Sequence, residues 1–159
     1  MRKEVAKGFV KAGLLVVMLM IAVGTSVKAQ SLEYKLTANI PFDFTVANKK
    51  FQAGEYSFSR AQQSAGDMIV RVSSADGHQN INRFTVPVIK LTPSNKATLV
   101  FHRYGDEYFL FQVWPAGATT GRVLLKSRSE RDVVRNVHDN VGMAMLRAPE
   151  TVTIVADLP

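Results

Sequence analysis

Leu32-Glu33-Tyr34-Lys35-Leu36-Thr37-Ala38-Asn39-Ile40-Pro41-Phe42-Asp43-Phe44-Thr45-Val46 is the stretch that decides the fold of this chain. Apolar residues take every even position, and polar residues fill the odd ones apart from Pro41. Successive side chains of a strand point to opposite faces, so this rhythm buries one face and wets the other. Pro41 has no N–H to give to a ladder and marks a bend between two shorter strands. The segment reads as β.

Downstream, the same rhythm recurs in short units divided by turn residues. Ala47-Asn48-Lys49-Lys50 turns the chain into Phe51, and Ala53-Gly54 opens a strand with Tyr56 and Phe58 inward. Met68, Val70 and Val72 lead to Ser74-Ala75-Asp76-Gly77, where the Asp-Gly pair suits a tight hairpin turn. A return strand through Phe84, Val86 and Val88 follows, with Phe84 expected to point inward. Lys96–Arg103 and Glu107–Trp114 form a hairpin around Tyr104-Gly105-Asp106. Phe109 to Trp114 is apolar on both faces apart from Gln112, which predicts a central strand covered on both sides. Ser127 to Glu130 fits a capping box, and Val133, Val134, Val137 and Val141 continue it as an apolar helical stripe. Pro149 ends the helix, and the β-branched run Thr151 to Val155 predicts a last strand. The expected fold is all-β: mainly an antiparallel meander, as a curved sandwich or a closed barrel, with one C-terminal-region helix before a last strand.

Upstream of the first strand, Arg2, Lys3, Lys7 and Lys11 precede an apolar run from Ala12 to Val23, and Val27-Lys28-Ala29 supplies small residues at −3 and −1. That order is a secretory signal peptide, residues 1–29, cleaved between Ala29 and Gln30. Only 16 uncharged residues separate Lys11 from Lys28, short of the roughly 20 apolar residues of a spanning helix. Residues 30–159 are then one exported domain, periplasmic or extracellular, with no transmembrane span. The five Lys/Arg and one Glu of the leader account for +4 of the net +7, so the remainder carries only +3. The basic balance therefore gives no support to a nucleic-acid partner. The chain has no cysteine, so neither disulfides nor a cysteine-linked lipid anchor holds it, and burial alone must stabilise the domain.

Chemistry-bearing residues are few. Of the three histidines, His78 sits in a turn, His138 lies beside Asp139 near the helix end, and His102 faces opposite to Phe101 on its strand. No His-x-His or His-x-x-x-His pair exists, so no metal is expected. Asp43, Asp67, Asp106, Glu107 and Glu130 offer carboxylates, but their spacing singles out no pair for acid–base work. There is no Gly-x-Ser-x-Gly elbow and no phosphate-binding glycine loop, so no catalytic residue and no cofactor is assigned.

The candidate contacts are on the surface. Lys126, Arg128, Arg131 and Arg135 form a basic run, of which Arg128, Arg131 and Arg135 fall on one side of the predicted helix and suit an anionic partner such as phospholipid headgroups or acidic polysaccharide. Tyr104 and Tyr108 flank the hairpin tip as aromatic contacts. The expected function is non-catalytic binding of an envelope component or a protein partner. The alternatives are a barrel carrying a small apolar ligand and a small hydrolase with no assigned site. Against the carrier, Tyr34, Phe42, Phe44, Tyr56, Phe58 and Phe84 supply enough bulk to fill the interior.

Asn39-Ile40-Pro41-Phe42-Asp43-Phe44-Thr45-Val46, with Phe51-Gln52-Ala53-Gly54-Glu55-Tyr56 after it, resembles the opening of a family of small secreted bacterial proteins. That family begins "IPF-x-F-x-V" and continues "PAG-x-Y". Its later blocks, "FHRYGD-x-YFL" and "GR-x-x-x-KS-x-x-E", are similar to Phe101 to Leu110 and Gly121 to Glu130. Gln52 stands where the family often has proline. The resemblance implies export and a single β domain, and it brings no site residues with it.

Overall fold

The computed structural model describes residues 35–61, 68–141 and 149–157. The proposed leader, the Ala29–Gln30 bond, Tyr34 and Asp67 lie outside the described residues. The alternating segment forms β1 (Lys35–Ile40) and β2 (Phe44–Val46), broken at Pro41 as its missing N–H requires. There follow β3 (Lys49–Phe51), β4 (Gly54–Arg60), β5 (Ile69–Ser74), β6 (Asn80–Ile89), β7 (Ala97–Tyr104), β8 (Glu107–Trp114) and β9 (Thr120–Leu124). Helix α1 (Arg128–Val141) and strand β10 (Glu150–Ala156) complete the described part, giving the helix-then-strand ending that the sequence predicts. No helix among the described residues is long and apolar enough to cross a membrane.

The strands make one mixed sheet in which β1-β4-β5-β6-β9-β8 are successive antiparallel neighbours. Strand β8 is the branch point. One edge pairs with β7 along its whole length, and β7 in turn carries β10. The other edge is shared: β9 takes Gln112 and Val113, whereas β2 pairs in parallel at Phe109. The sheet curls until its ends meet at Thr37 and Asp157, whose backbones exchange hydrogen bonds of 2.9 and 2.7 Å. That is a single bridge, not a ladder, so the sheet is strongly curved without being closed into a barrel. The last strand thus has its ladder with β7 and reaches the first only at this bridge.

Inside the curl, Leu36, Ile40, Phe44, Phe51, Phe58, Leu99 and Phe101 are essentially removed from water. Phe44 is at the centre, its ring 5.3 Å from Phe51, 4.9 Å from Tyr56 and 5.6 Å from Phe101. Burying such a side chain contributes about 1.5–3 kcal/mol. Tyr56, Val70 and Phe109 are buried as expected. Phe42 is only half-buried because it falls in the break after Pro41, where it stacks on Tyr108 at 3.9 Å.

Three sequence expectations need correction. Phe84 points outward and is 68% exposed. The β5–β6 register pairs Val72 with Ile81, and the β6–β9 register pairs Thr85 with Leu124, so the odd residues from Ile81 to Thr85 face inward. Phe84 consequently stands outside, opposite Ile69. Second, the Asp76-Gly77 turn is wider than a two-residue hairpin: it closes from Ser74 to Gln79, with Gly77 alone at positive φ. Asp76 accepts from the Ser74 hydroxyl and from the His78 N–H, bonds that hold its carboxyl below the usual range. Third, Phe111 is half-buried because the β7–β8 register shifts between Val100 and Phe101, leaving it as the extra residue of a bulge. The bulge lets Leu110 and Val113 both reach the core, while Phe111 stays on the outer face.

Strand β9 occupies what reads as a polar connection. Gly121 is there because an added Cβ would lie 2.5 Å from the Trp114 ring. Gly121→Ala should cost about 1–3 kcal/mol by overpacking, and Phe44→Ala about 3–5 kcal/mol by leaving a cavity. Urea denaturation followed by tryptophan fluorescence checks both, with the shift of the Trp114 emission band confined to the Gly121 variant.

Candidate functional site

Helix α1 lies over the outer face of β7 and β8, and its N-terminus is built by local chemistry. Ser127 is the N-cap: its Oγ accepts from the Glu130 N–H at 3.1 Å, and its carbonyl receives the Arg131 N–H at 3.1 Å. Ser129 ties this end to the β2–β3 turn, its N–H donating to Asn48 Oδ1 and its hydroxyl to the Ala47 carbonyl. Ala47 holds a left-handed φ of 60° in that turn. The capping box foreseen from the sequence is therefore half realised, because the Glu130 carboxylate is committed to the sheet.

Glu130 Oε1 accepts from His102 Nδ1 at 2.8 Å and from the Tyr104 hydroxyl at 3.2 Å, and both His102 and Glu130 are buried. A carboxylate partner places the proton on Nδ1. The imidazole also stacks on Phe111 at 3.8 Å. Lys126 Nζ donates to the Tyr104 hydroxyl at 3.1 Å, so a continuous hydrogen-bonded chain runs from Lys126 through Tyr104 and Glu130 to His102. Burial, and then the Glu130 charge and its hydrogen bond, raise the Tyr104 phenol well above its ordinary value. The hydroxyls of Ser127 and Ser129 are spent on the helix start. What the arrangement does is dock the helix.

The docked helix shapes a groove of about 350 Å³ lined by Lys126, Arg131, Val134 and Arg135. Its lining is almost wholly apolar, Val134 with the aliphatic stems of the three cations. Arg131 Nη1 donates to the Lys126 carbonyl at 2.8 Å, and Arg135 Nη1 lies 3.9 Å from Asp132 Oδ1. Of the three arginines singled out by spacing, Arg131 and Arg135 share the groove, whereas Arg128 is exposed outside its lining. Lys126, the first cation of the same basic run, joins them in the lining. Tyr104 and Tyr108 are half-buried: Tyr104 lies beneath Lys126, and Tyr108 lies between Phe42 and Arg103.

A second cleft, of about 480 Å³, brings together three carboxylates that the sequence scatters: Asp43, Asp106 and Glu107. Asp43 Oδ1 accepts the Ala53 N–H at 2.8 Å, Lys50 is on the same wall, and Gln79 Oε1 is a buried acceptor there with no hydrogen-bond partner. Among the described residues no three His, Asp or Glu side chains come together as a metal site. His78 is exposed in its turn, and the His138 side chain lies outside the described part.

No family profile, curated protein or solved structure matches this chain.

The raised Tyr104 phenol makes a signed prediction. Its neutral form is favoured in the folded state, so it contributes stability that is full below the unfolded value near 10 and is lost as pH rises through the folded value. Wild-type stability should therefore fall more steeply above pH 10 than that of Tyr104→Phe. Urea midpoints measured on either side of that pH check the difference in slope.

Proposed function

We propose that this chain is an exported, non-catalytic binding domain that recognises an anionic component of the cell envelope through the Lys126, Arg131 and Arg135 groove. One observation carries the reading. Three cations converge on one groove, while Glu130, the acid nearest them on the helix, is buried and turned toward His102 and Tyr104. Among the described residues, the acid paired with a groove cation is Asp132, 3.9 Å from Arg135. Guanidinium pairs suit the two-oxygen geometry of phosphate and carboxylate groups, which is the chemistry expected of an envelope anion. Export rests on the leader pattern of residues 1–29 and on the resemblance to small secreted bacterial proteins.

The test is retention on envelope fractions prepared from the expressing cells. Arg131→Glu with Arg135→Glu should reduce retention about tenfold or more, since each cation near an anionic surface contributes about 1 kcal/mol. Arg128→Glu changes the net charge in the same sense outside the groove and should have a much smaller effect. Both sites are exposed, so circular dichroism should be unchanged in every variant. Equal retention of the groove variant and wild type would overturn the proposal.

A further inference from the structure

We infer that the groove and the bare outer face beside it dock this domain on an anionic phospholipid bilayer, the cations meeting headgroup phosphates while Phe84 and Leu125 enter the headgroup boundary. The inference rests on the groove reading above and names its ligand. Leu125 is 62% exposed and immediately precedes Lys126 of the groove. The β6–β9 ladder ends at the Thr85–Leu124 pair, and Phe84 and Leu125 are the chain neighbours of those two residues at that end. Phe84 lies on the outer face, beside the buried Thr85, and Leu125 is exposed directly after the buried Leu124. Helix α1 covers that same outer face one strand pair away, above His102 and Phe111. Cationic groove and exposed apolar side chains are therefore neighbours on the sheet.

That combination selects among occupants. Basic residues beside exposed aromatic and aliphatic ones are the makeup of an interfacial membrane contact, in which charge draws the protein to the surface and apolar side chains hold it there. An acidic polysaccharide would answer the cations but leave Phe84 and Leu125 in water. A second copy, paired through a two-fold axis, would set the same cationic groove against or beside itself. A free phosphate would meet the cations without using the apolar lining at Val134.

The test uses the exported protein and flotation with phosphatidylcholine vesicles, with and without phosphatidylglycerol. Wild type should float with the anionic vesicles only, and less as salt rises. Arg131→Glu with Arg135→Glu should weaken partition by at least fivefold for each cation removed. Phe84→Ser with Leu125→Ser should leave association at low salt and abolish the part that survives high salt. Equal partition into both vesicle types, or no effect of the Phe84 and Leu125 changes, would overturn the inference. So would inhibition by glycerol phosphate at millimolar concentration, which marks a free-anion site. A dimer in sedimentation that Phe84→Ser dissociates would overturn it in favour of self-association. Envelope retention that persists when vesicles fail refutes the lipid assignment alone, and loss of both refutes the groove reading as well.

Discussion

The buried carboxylate of Glu130 is the constraint on which the functional end of this domain depends. A carboxylate removed from water is tolerated only when donors meet it, and here His102 and Tyr104 do so at one oxygen. Because Glu130 must face the sheet, the rest of α1 is oriented by it. Arg131, one residue on, and Arg135, five residues on, are carried away from the sheet by the helical rotation of about 100° per residue. Lys126 joins them through the Tyr104 hydroxyl. The geometry of the basic groove is thus a consequence of how one acid is satisfied, and Ser127 contributes by fixing where the helix starts.

The sheet prepares the receiving surface. A regular β7–β8 ladder would keep Leu110 and Phe111 on opposite faces and carry Val113 outward with Phe111. The bulge breaks that alternation, so the core keeps Leu110 and Val113 together, and Phe111 remains on the outer face as an aromatic platform for the imidazole. The branch at β8 matters for the same reason. Because β9 and β2 divide one edge between them, the β2–β3 turn is brought to the helix N-terminus, where Ala47 and Asn48 meet Ser129. Core packing, helix capping and the groove therefore share a small set of residues around Phe109 to Phe111.

Sequence reading reached the elements whose signal is local and unopposed. Leu36 to Val46 has one apolar phase, so its strands, inward face and break at Pro41 were legible. The helix was legible through Ser127 and Glu130, which announce its start, although it ends at Val141, well before Pro149. Strand β6 defeated the same logic because Ile81 and Thr85 compete with Phe84, Val86 and Val88, and neighbouring registers decide between the two phases. Strand β9 was hidden because its Gly121 is chosen for contact with Trp114 and its Arg122 is polar, so neither looks like strand chemistry. The His102–Glu130 pair joins residues 28 positions apart and leaves no spacing signature. Its one trace was that His102 faces away from Phe101, on a strand whose outer face turns out to need a cover.

Charge shows why composition misleads about partners and placement does not. Outside the proposed leader the chain is nearly balanced, at +3, and screening limits an exposed charge to about 8 Å at physiological salt. A partner therefore feels the local arrangement and not the sum. Asp43, Asp106 and Glu107 are gathered in one cleft and Lys126, Arg131 and Arg135 in another, so nearly neutral composition is compatible with two regions of opposite local charge. A long duplex needs a continuous cationic track to release counterions along its backbone, and three cations around one short groove do not make one. They do match a single anionic headgroup at a time. A surface built of many such headgroups, with an apolar layer beneath, is the partner that uses both the cations and the uncovered Phe84 and Leu125.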